Sequence, residues 1–479
     1  MTSIIKVDNL QNQCGANIIS ESANVITIGA SGDTVTLAAG ASQSGFGRTG
    51  TVNWDTTAKT TGFTAVSGNG YFCDTTSAAF TVTLPAGPSA GDIVAVADYD
   101  GTAATNAITV GRNSSNINGD AADLIISKNY SAISFVYVDA TAGWRSVDTS
   151  NVSDVVNPFI AATGGTISTC GDYKIHTFTG PGTFTVTNAG NASGSTSVDY
   201  LVVAGGAGGG GTYGANMGGG AGAGGYRESK ATGAPWTASP LASSTSLPVS
   251  ATAYPITVGA GGAAGTTCIP ASRGNQGGNG VPSIFSTITS TGGGGGGGGR
   301  PIAFPTEIRG LPGGSGGGGS GGADFSPNDA TRGSGNTPPT SPSQGNNGGS
   351  GGGTPDQRAG GGGGATAVGA DRTPTTSGGG GAGAGTGINP SPTVGTPGPS
   401  PSLRYFAGGG GGGGAPAATL GPGGVGGGGA GGAVSPTSFG VAGTVNTGGG
   451  GGSAGFICSS AGPSGAGGSG IVVIRYKFQ

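Results

Sequence analysis

Few residues in this 479-residue chain could do chemistry. The one histidine, His176, lies in the strand-like run Tyr173-Lys-Ile-His-Thr-Phe178. A Ser-His-Asp triad could use no other base, and nothing in the sequence ties His176 to a serine. Gly313-Gly-Ser-Gly-Gly317 matches a nucleophile elbow, and many windows match G-x-G-x-x-G. With Gly 114 such matches arise by chance, and both lack their strand-then-helix setting. Cys14, Cys73, Cys170, Cys268 and Cys458 are far apart, with no Cys-x-x-Cys. They read as isolated reduced thiols packed as small apolar groups, and a zinc site fails for want of ligands. Asp98-Tyr-Asp-Gly101 opens like a calcium loop, but its twelfth position is Thr109 rather than Glu. Asp120, Asp123 and Asp139 could add ligands if folded nearby; the reading is a turn followed by solvated acids. A glycan-cleaving enzyme would need clustered carboxylates in a groove. The chain is expected to be no enzyme, with no catalytic residue, no metal and no cofactor.

Residues that interrupt the glycine runs say more. They include Tyr226-Arg227, Trp236, Phe304, Phe325, Arg404-Tyr-Phe406, Phe439 and Phe456. Binding concentrates on loops held by a rigid scaffold, and Tyr, Trp and Arg are favoured contact residues. Phe304, Phe325, Arg404, Tyr405 and Phe406 are the candidate binding residues. The competing reading has some of these aromatics folding back to cap the scaffold.

The scaffold would be the stretch from about Gly205 to Gly470. Gly292 to Gly299 and Gly408 to Gly414 are unbroken, with shorter runs such as Gly316–Gly319, Gly361–Gly364 and Gly426–Gly429. Glycine buries no side chain and loses the most backbone entropy on ordering. The runs could be flexible linkers. They could instead be polyproline II segments packed backbone to backbone. That helix has three residues per turn and no internal hydrogen bonds, so neighbours must satisfy its N–H and C=O groups. Gly 114 and Pro 28 lie in the low-complexity range, and no Gly-X-Y register makes a collagen. The bracket argues for an ordered bundle. Val198-Asp-Tyr-Leu-Val-Val-Ala204 precedes the region and Gly470-Ile-Val-Val-Ile-Arg-Tyr-Lys-Phe478 follows it. Both read as strands, and a linker needs no closing strand.

Only 8% of residues are charged and the net charge is −3, so no basic face suits a nucleic acid. The longest apolar runs are too short to span a bilayer. Met1-Thr-Ser-Ile-Ile-Lys6 shows no export signal. The Gly, Thr, Ser and Asn content suits an extracellular or particle surface, reconciled by synthesis in a cytoplasm and release by lysis.

The expected fold is all-β, without helical periodicity. Residues 1–50 hold short strands at Asn24–Gly29 and Thr34–Leu37 in a β-prism-like or β-helical coil. This coil is too thin to stand alone, and Ile4 to Leu10 reads as an attachment peptide. Residues 51–150 read as a β-sandwich. Its expected strands are Gly70–Cys73, Ala79–Leu84, Asp92–Ala97, Ala107–Val110, Asp123–Ile126 and Ala132–Val138, with Trp144 as a core plug. Residues 151–165 would be a linker. Residues 166–479 would be the glycine-rich domain, opening with strands at Tyr173–Phe178, Gly182–Val186 and Val198–Ala204 paired with the C-terminal strand.

Several phrases carry a resemblance. Val52-Asn-Trp-Asp55, Gly68-Asn-Gly-Tyr-Phe72, Phe80-Thr-Val-Thr-Leu-Pro-Ala86, Ala97-Asp-Tyr-Asp-Gly101 and Phe135-Val-Tyr-Val-Asp139 with Gly143-Trp144 are similar to a β domain of bacteriophage tail fibres, especially those of marine phages. Ile5-Lys-Val-Asp-Asn-Leu10 also resembles such fibres. The entry Val198 to Gly206 and the exit Gly468-Ser-Gly-Ile-Val-Val-Ile-Arg-Tyr476 resemble the glycine-rich tail-fibre domain. The resemblance implies a homotrimeric virion protein, its residues 1–50 joined to a tail or capsid adaptor protein. Its packed polyglycine II helices, closed by β-strands, would present loops to a host-surface glycan or outer-membrane protein. A head or tail decoration fibre without receptor role, or a bacterial cell-surface adhesin, are the other readings. The unequal runs and the long interruption Gly321 to Asn347 depart from the short phage adhesins.

Overall fold

The structure is a computed structural model. It describes residues 52–149, 159–191, 194–213, 216–266, 274–299, 309–322, 332–353, 358–414, 419–432, 439–455 and 463–479, and the backbone of 9–11, 17–22 and 25–28. Among the described residues every regular element is a strand, in several sheets of which none closes. The chain divides into two compact units, Met1–Val155 and Val156–Gln479.

In the first unit, Asn9–Gln11, Asn17–Ser22 and Val25–Ile28 form an antiparallel three-stranded sheet. The expected strand Thr34–Leu37 lies outside the described residues. Further on, the chain alternates between two sheets. Asn53–Lys59, Asn69–Cys73 and Ile93–Asp98 pair parallel in one. Phe63–Thr64, Phe80–Thr83 and Ile108–Gly111 pair parallel in the other. Leu124–Ile126 then adds antiparallel to the second sheet, and Ala132–Asp139 with Gly143–Thr149 to the first. Alternate apolar residues of both sheets meet in one core, which includes Val82, Val94, Val96, Ile108, Val110, Ile133 and Phe135. Trp144 is 0% exposed at its centre. The short strands were legible; their parallel pairing was not, because each crossing is made by turns that also suit a hairpin.

The second unit contains two sheets laid on one another. The central sheet has the order Thr166–Cys170, Tyr173–Phe178, Ile471–Lys477, Ser197–Val203, Tyr226–Ser229, Ala242–Ser243. The C-terminal strand thus sits between the two strands that open the unit, with Val203 opposite Ile471 and Asp199 opposite Arg475. The bracket expected from sequence is real. Both faces of this strand are buried. Val472, Ile474 and Tyr476 join Phe184, Val202 and Phe285 beneath the second sheet. Ile471 and Val473 join Leu201, Tyr226, Trp236 and Phe406 on the opposite face. The second sheet runs Ile160–Thr163, Gly182–Ala189, Ala253–Thr257, Ser283–Phe285, Ile288–Ser290. Its first strand corrects the linker expected at 151–165. Phe159 and Ile160 are 8% and 2% exposed, and their burial pulls that end of the linker into the fold.

The glycine runs carry neither helix nor ladder strand, yet they are buried. Their hydrogen bonds repeat every three residues. From the run 204–211, the N–H groups of Gly205, Gly208 and Gly211 donate to Val281, Gly278 and Asn275. Those of Gly206 and Gly209 donate to Gly468 and Gly465, and those of Ala204, Ala207 and Gly210 to Gly225, Gly222 and Gly219. The same run accepts from Gly293, Gly296 and Gly299, from Gly262 and Gly265, and from Gly451. One segment therefore bonds to six others, three running against it and three alongside. Gly408 to Gly414 bonds likewise, with Gly408 and Gly411 donating to Gly426 and Gly429, and Gly409 and Gly412 to Gly381 and Gly378.

Such approach leaves no room for a side chain. A Cβ on Gly295 would lie on the carbonyl oxygen of Gly277, and one on Gly411 on that of Gly421. By contrast, nothing stands within 4 Å of a Cβ added to Gly180. Each orphaned buried backbone group costs about 1–3 kcal/mol, against a typical domain stability of about 5–15 kcal/mol. Gly411→Val and Gly295→Val are therefore expected to lower the unfolding midpoint severely or abolish folding, while Gly180→Ala stays near the parent. Thermal unfolding checks this; a Gly411→Val protein as stable as Gly180→Ala would contradict the packing.

Candidate functional site

The turn before Tyr173, the C-terminal strand and two excursions from the glycine bundle meet in a cleft of about 470 Å³. Its floor is Arg475, its walls are Tyr173 and Trp236, and Leu403, Ser402 and Pro390 form a rim. Arg475 and Trp236 are 3% and 7% exposed. The Arg475 guanidinium carbon lies 4.7 Å from the Tyr173 ring centre and 5.8 Å from that of Trp236. Lys230 Nζ stands 5.9 Å from the Trp236 ring. Arg475 Nη1 donates to the carbonyls of Gly387 and Ile388, at 3.3 and 3.0 Å. Its Nε, and Nε1 of Trp236, have no hydrogen-bond partner in the protein. Burial lowers the Arg475 pKa, opposed by Cys170, Tyr173 and Asp199, yet a guanidinium stays protonated.

Buried carboxylates hold the walls. Glu228, on Tyr226–Ser229, is 2% exposed. It accepts hydrogen bonds from Tyr226 Oη at 2.7 Å, from the N–H and hydroxyl of Ser239, and from Thr386 Oγ1. Burial raises its pKa, and those donors pull it back. One carboxylate thereby fixes the Trp236 excursion and the Ala384–Thr386 strand to the central sheet. Asp199, across from Arg475, accepts from Ser229, Ser246 and the N–H of Ala231. Burial raises its pKa too. Gly387 N–H donates to Thr237 C=O at 2.8 Å and joins the walls directly.

Three of the expected binding residues form one strand, Arg404–Phe406, paired with Ala384–Thr386. Arg404 closes the excursion between them. Its Nε donates to the Val394 carbonyl at 2.7 Å, and its Nη2 to those of Pro392 and Gly395 at 2.9 and 2.8 Å. The Tyr405 ring lies against Gly385 and Gly398, and its hydroxyl accepts from Ser400 N–H. Phe406 is 1% exposed in the core, so its side chain offers no contact surface in this chain. Its place in an apolar core follows from the closing sheet beneath it. Phe304, Phe325 and Phe456 lie outside the described residues. Tyr226 and Trp236 are both buried, and Phe439 is 56% exposed. The cleft's Tyr173 and Arg475 were missed by sequence reasoning because they are far apart in the chain and sit in strands; the one clue was a lone arginine amid the apolar closing strand.

The remaining chemical candidates have structural places. His176 is 0% exposed. Its Nδ1–H donates to the Gly164 carbonyl at 2.7 Å, so in the neutral ring Nε2 accepts from Tyr476 Oη at 3.1 Å. Burial pushes the Tyr476 hydroxyl up to about 12. Asp98 accepts from the backbone N–H groups of Thr102, Ala103 and Tyr130, which organises its turn. Cys73 and Cys170 are free thiols, and burial pushes Cys73 up to about 12. Cys14, Cys268 and Cys458 lie outside the described residues.

An all-β chain whose glycine backbone forms the interior belongs with glycine-rich proteins rather than with those built on apolar cores alone. The glycine-rich domain family model matches residues 177–477, from the end of the strand Tyr173–Phe178 through the closing one, and the chain belongs to that family. No curated protein matches it.

The buried imidazole yields a pH test. Burial lowers the His176 pKa below its ordinary 6.5, so below that pH the unfolded chain takes up a proton that the folded one resists. Its contribution is present above pH 6.5 and is lost as pH falls below it. The raised carboxyls of Glu228 and Asp199 act in the opposite sense, but they are common to a parent and its variant. The midpoint of the parent relative to His176→Gln is expected to decline on acidification below 6.5. Parallel midpoint–pH curves would contradict this.

Proposed function

We propose that this chain is a structural protein of a bacteriophage particle, a non-enzymatic tail-fibre adhesin that needs no cofactor. Its loops recognise a host-surface glycan or outer-membrane protein. The runs are polyglycine II helices, each satisfied by its neighbours and closed by the β-sheet. Residues 1–50 form a β-prism-like segment that trimerises with two further copies and joins a tail or capsid adaptor. The following domain is a β-sandwich knob. The protein assembles in the host cytoplasm and acts on the virion, without nucleic acid and without inserting into a membrane.

The observation that carries the reading is the excursion between Thr386 and Arg404. Its Pro- and Thr-rich tip is exposed at Pro392, Thr393, Pro397 and Pro399. Arg404 bonds to three of its carbonyls and Tyr405 anchors its far side. A stitched, exposed loop on a rigid backbone bundle suits recognition, because little ordering entropy is lost on binding. The period-three bonding supports the polyglycine II assignment. The family match to residues 177–477 supports the glycine-rich domain that the resemblance to fibres requires. Arg404 and Tyr405 act by holding the loop; Phe304 and Phe325 stay candidates for direct contact.

Antibody against the purified chain is expected to label fibres on intact phage particles and to block adsorption. Alanine at Phe304 or Phe325 should weaken adsorption with little change in thermal unfolding. Labelling of heads without any block of adsorption would indicate a decoration fibre, and absence of the chain from particles would overturn the reading.

A further inference from the structure

The strand Thr166–Cys170 forms one edge of the central sheet and pairs only with Tyr173–Phe178. The Asp172 carbonyl accepts from Phe478 N–H. Bonding alternates along an antiparallel pair, so the even-numbered residues of Tyr173–Phe178 bond toward Ile471–Lys477 and the odd-numbered ones toward the edge strand. Ile167 and Thr169, opposite His176 and Lys174, therefore turn their N–H and C=O groups outward. Those groups have no partner among the described residues. Thr166, Ile167, Ser168 and Thr169 are all exposed, Ile167 to 47%. Successive strand residues point to opposite faces. Among the described residues, then, nothing overhangs this edge on either side, and a further strand has room to add.

Natural sheet edges are blunted by shortness, bulges, charge or proline. The other edges within residues 52–479 follow that rule. Asn53–Lys59 carries the Asp55–Lys59 ion pair and a register shift. Gly143–Thr149 carries Arg145, Asp148 and register shifts, and Ile160–Thr163 a register shift. Phe63–Thr64 and Ala242–Ser243 are two residues long, and Leu124–Ile126 and Ile288–Ser290 three. Thr166–Cys170 has five residues, an unbroken register, no charge and no proline. We propose that it is a strand-addition site, and that its occupant is the same strand of a second copy of this chain, antiparallel about Ser168. An open backbone edge recognises an extended peptide backbone. This strand is complementary to itself. Two-fold pairing sets Ile167 beside Thr169 of the second copy, a β-branched pair, and sets Asp172 beside its Gly164, so no like charges meet. One contact also satisfies the open edges of both copies. The contact is separate from the trimer proposed for residues 1–50 and joins two chains whatever that segment does.

The test is disulfide trapping in the full-length protein. In this register position 166 of one copy meets Cys170 of the other in a pair without hydrogen bonds, where Cα atoms lie about 4.5 Å apart, close enough for a disulfide. On mild oxidation Thr166→Cys is expected to give a reducible dimer, roughly tenfold in excess of that from the parent or from Thr393→Cys, a control on an exposed loop. Thr169→Pro removes one outward N–H and leaves the ladder to Tyr173–Phe178 intact. Added to Thr166→Cys, it should abolish trapping while the unfolding midpoint stays near the parent's. Ile167→Lys, a charge at an exposed edge position, should do the same. The proposal is overturned if Thr166→Cys is trapped no better than Thr393→Cys, or if trapping survives both edge variants. Trapping by a chain absent from phage particles would sink the tail-fibre reading and leave the edge contact standing. Particle labelling without trapping would do the reverse.

Discussion

The second unit depends on one constraint: backbone must meet backbone with nothing between. An ordinary core gains stability by removing apolar side chains from water. Here the interior is largely peptide, and its buried N–H and C=O groups are matched across segments in steps of three residues. Such groups are costly when orphaned, so the arrangement is tolerant of length and sequence between runs but intolerant of a Cβ within them. The same constraint accounts for the extreme composition. Almost every interior glycine would place an added Cβ against a carbonyl of another segment.

The β-sheets of the second unit carry its apolar clusters. The strand Ile471–Lys477 is inserted between Tyr173–Phe178 and Ser197–Val203, so these two cannot join in one sheet until it is in place. That sheet brings Arg475, at the end of the chain, beside Tyr173, near the start of the unit. Glu228 then links the sheet to two excursions from the bundle. A buried carboxylate is a costly pin, and its donors must all be present for it to be accommodated. The cleft is consequently a product of closure, assembled from segments that share no sequence proximity.

This explains what could be read from the sequence. The runs Val198–Ala204 and Gly470–Phe478 stood out because β-branched residues are conspicuous against glycine, and their pairing followed from the need to close the bundle. Trp144 was legible as a core residue from its turn and neighbours. The parallel pairing of Asn69–Cys73 with Ile93–Asp98 was not legible, because strand composition does not encode the direction of a partner. Phe406 looked like a contact residue since exposed and buried aromatics are alike in sequence; the sheet beneath it decides. Arg475 and Tyr173 could be joined only by knowing the register in which the closing strand pairs.

Backbone amide exchange through Gly292 to Gly299 and Gly408 to Gly414 tests the central claim most directly. These segments contain no strand or helix, so conventional secondary structure gives their amides no reason to be protected. Where these amides are bonded to another segment, as at Gly293, Gly296, Gly299, Gly408, Gly409, Gly411 and Gly412, exchange will be slow and will approach that of the closing strand Ile471–Lys477, rising only with global unfolding. Exchange at the rate of an unstructured peptide in the intact protein would mean that the runs are linkers, and would contradict the account.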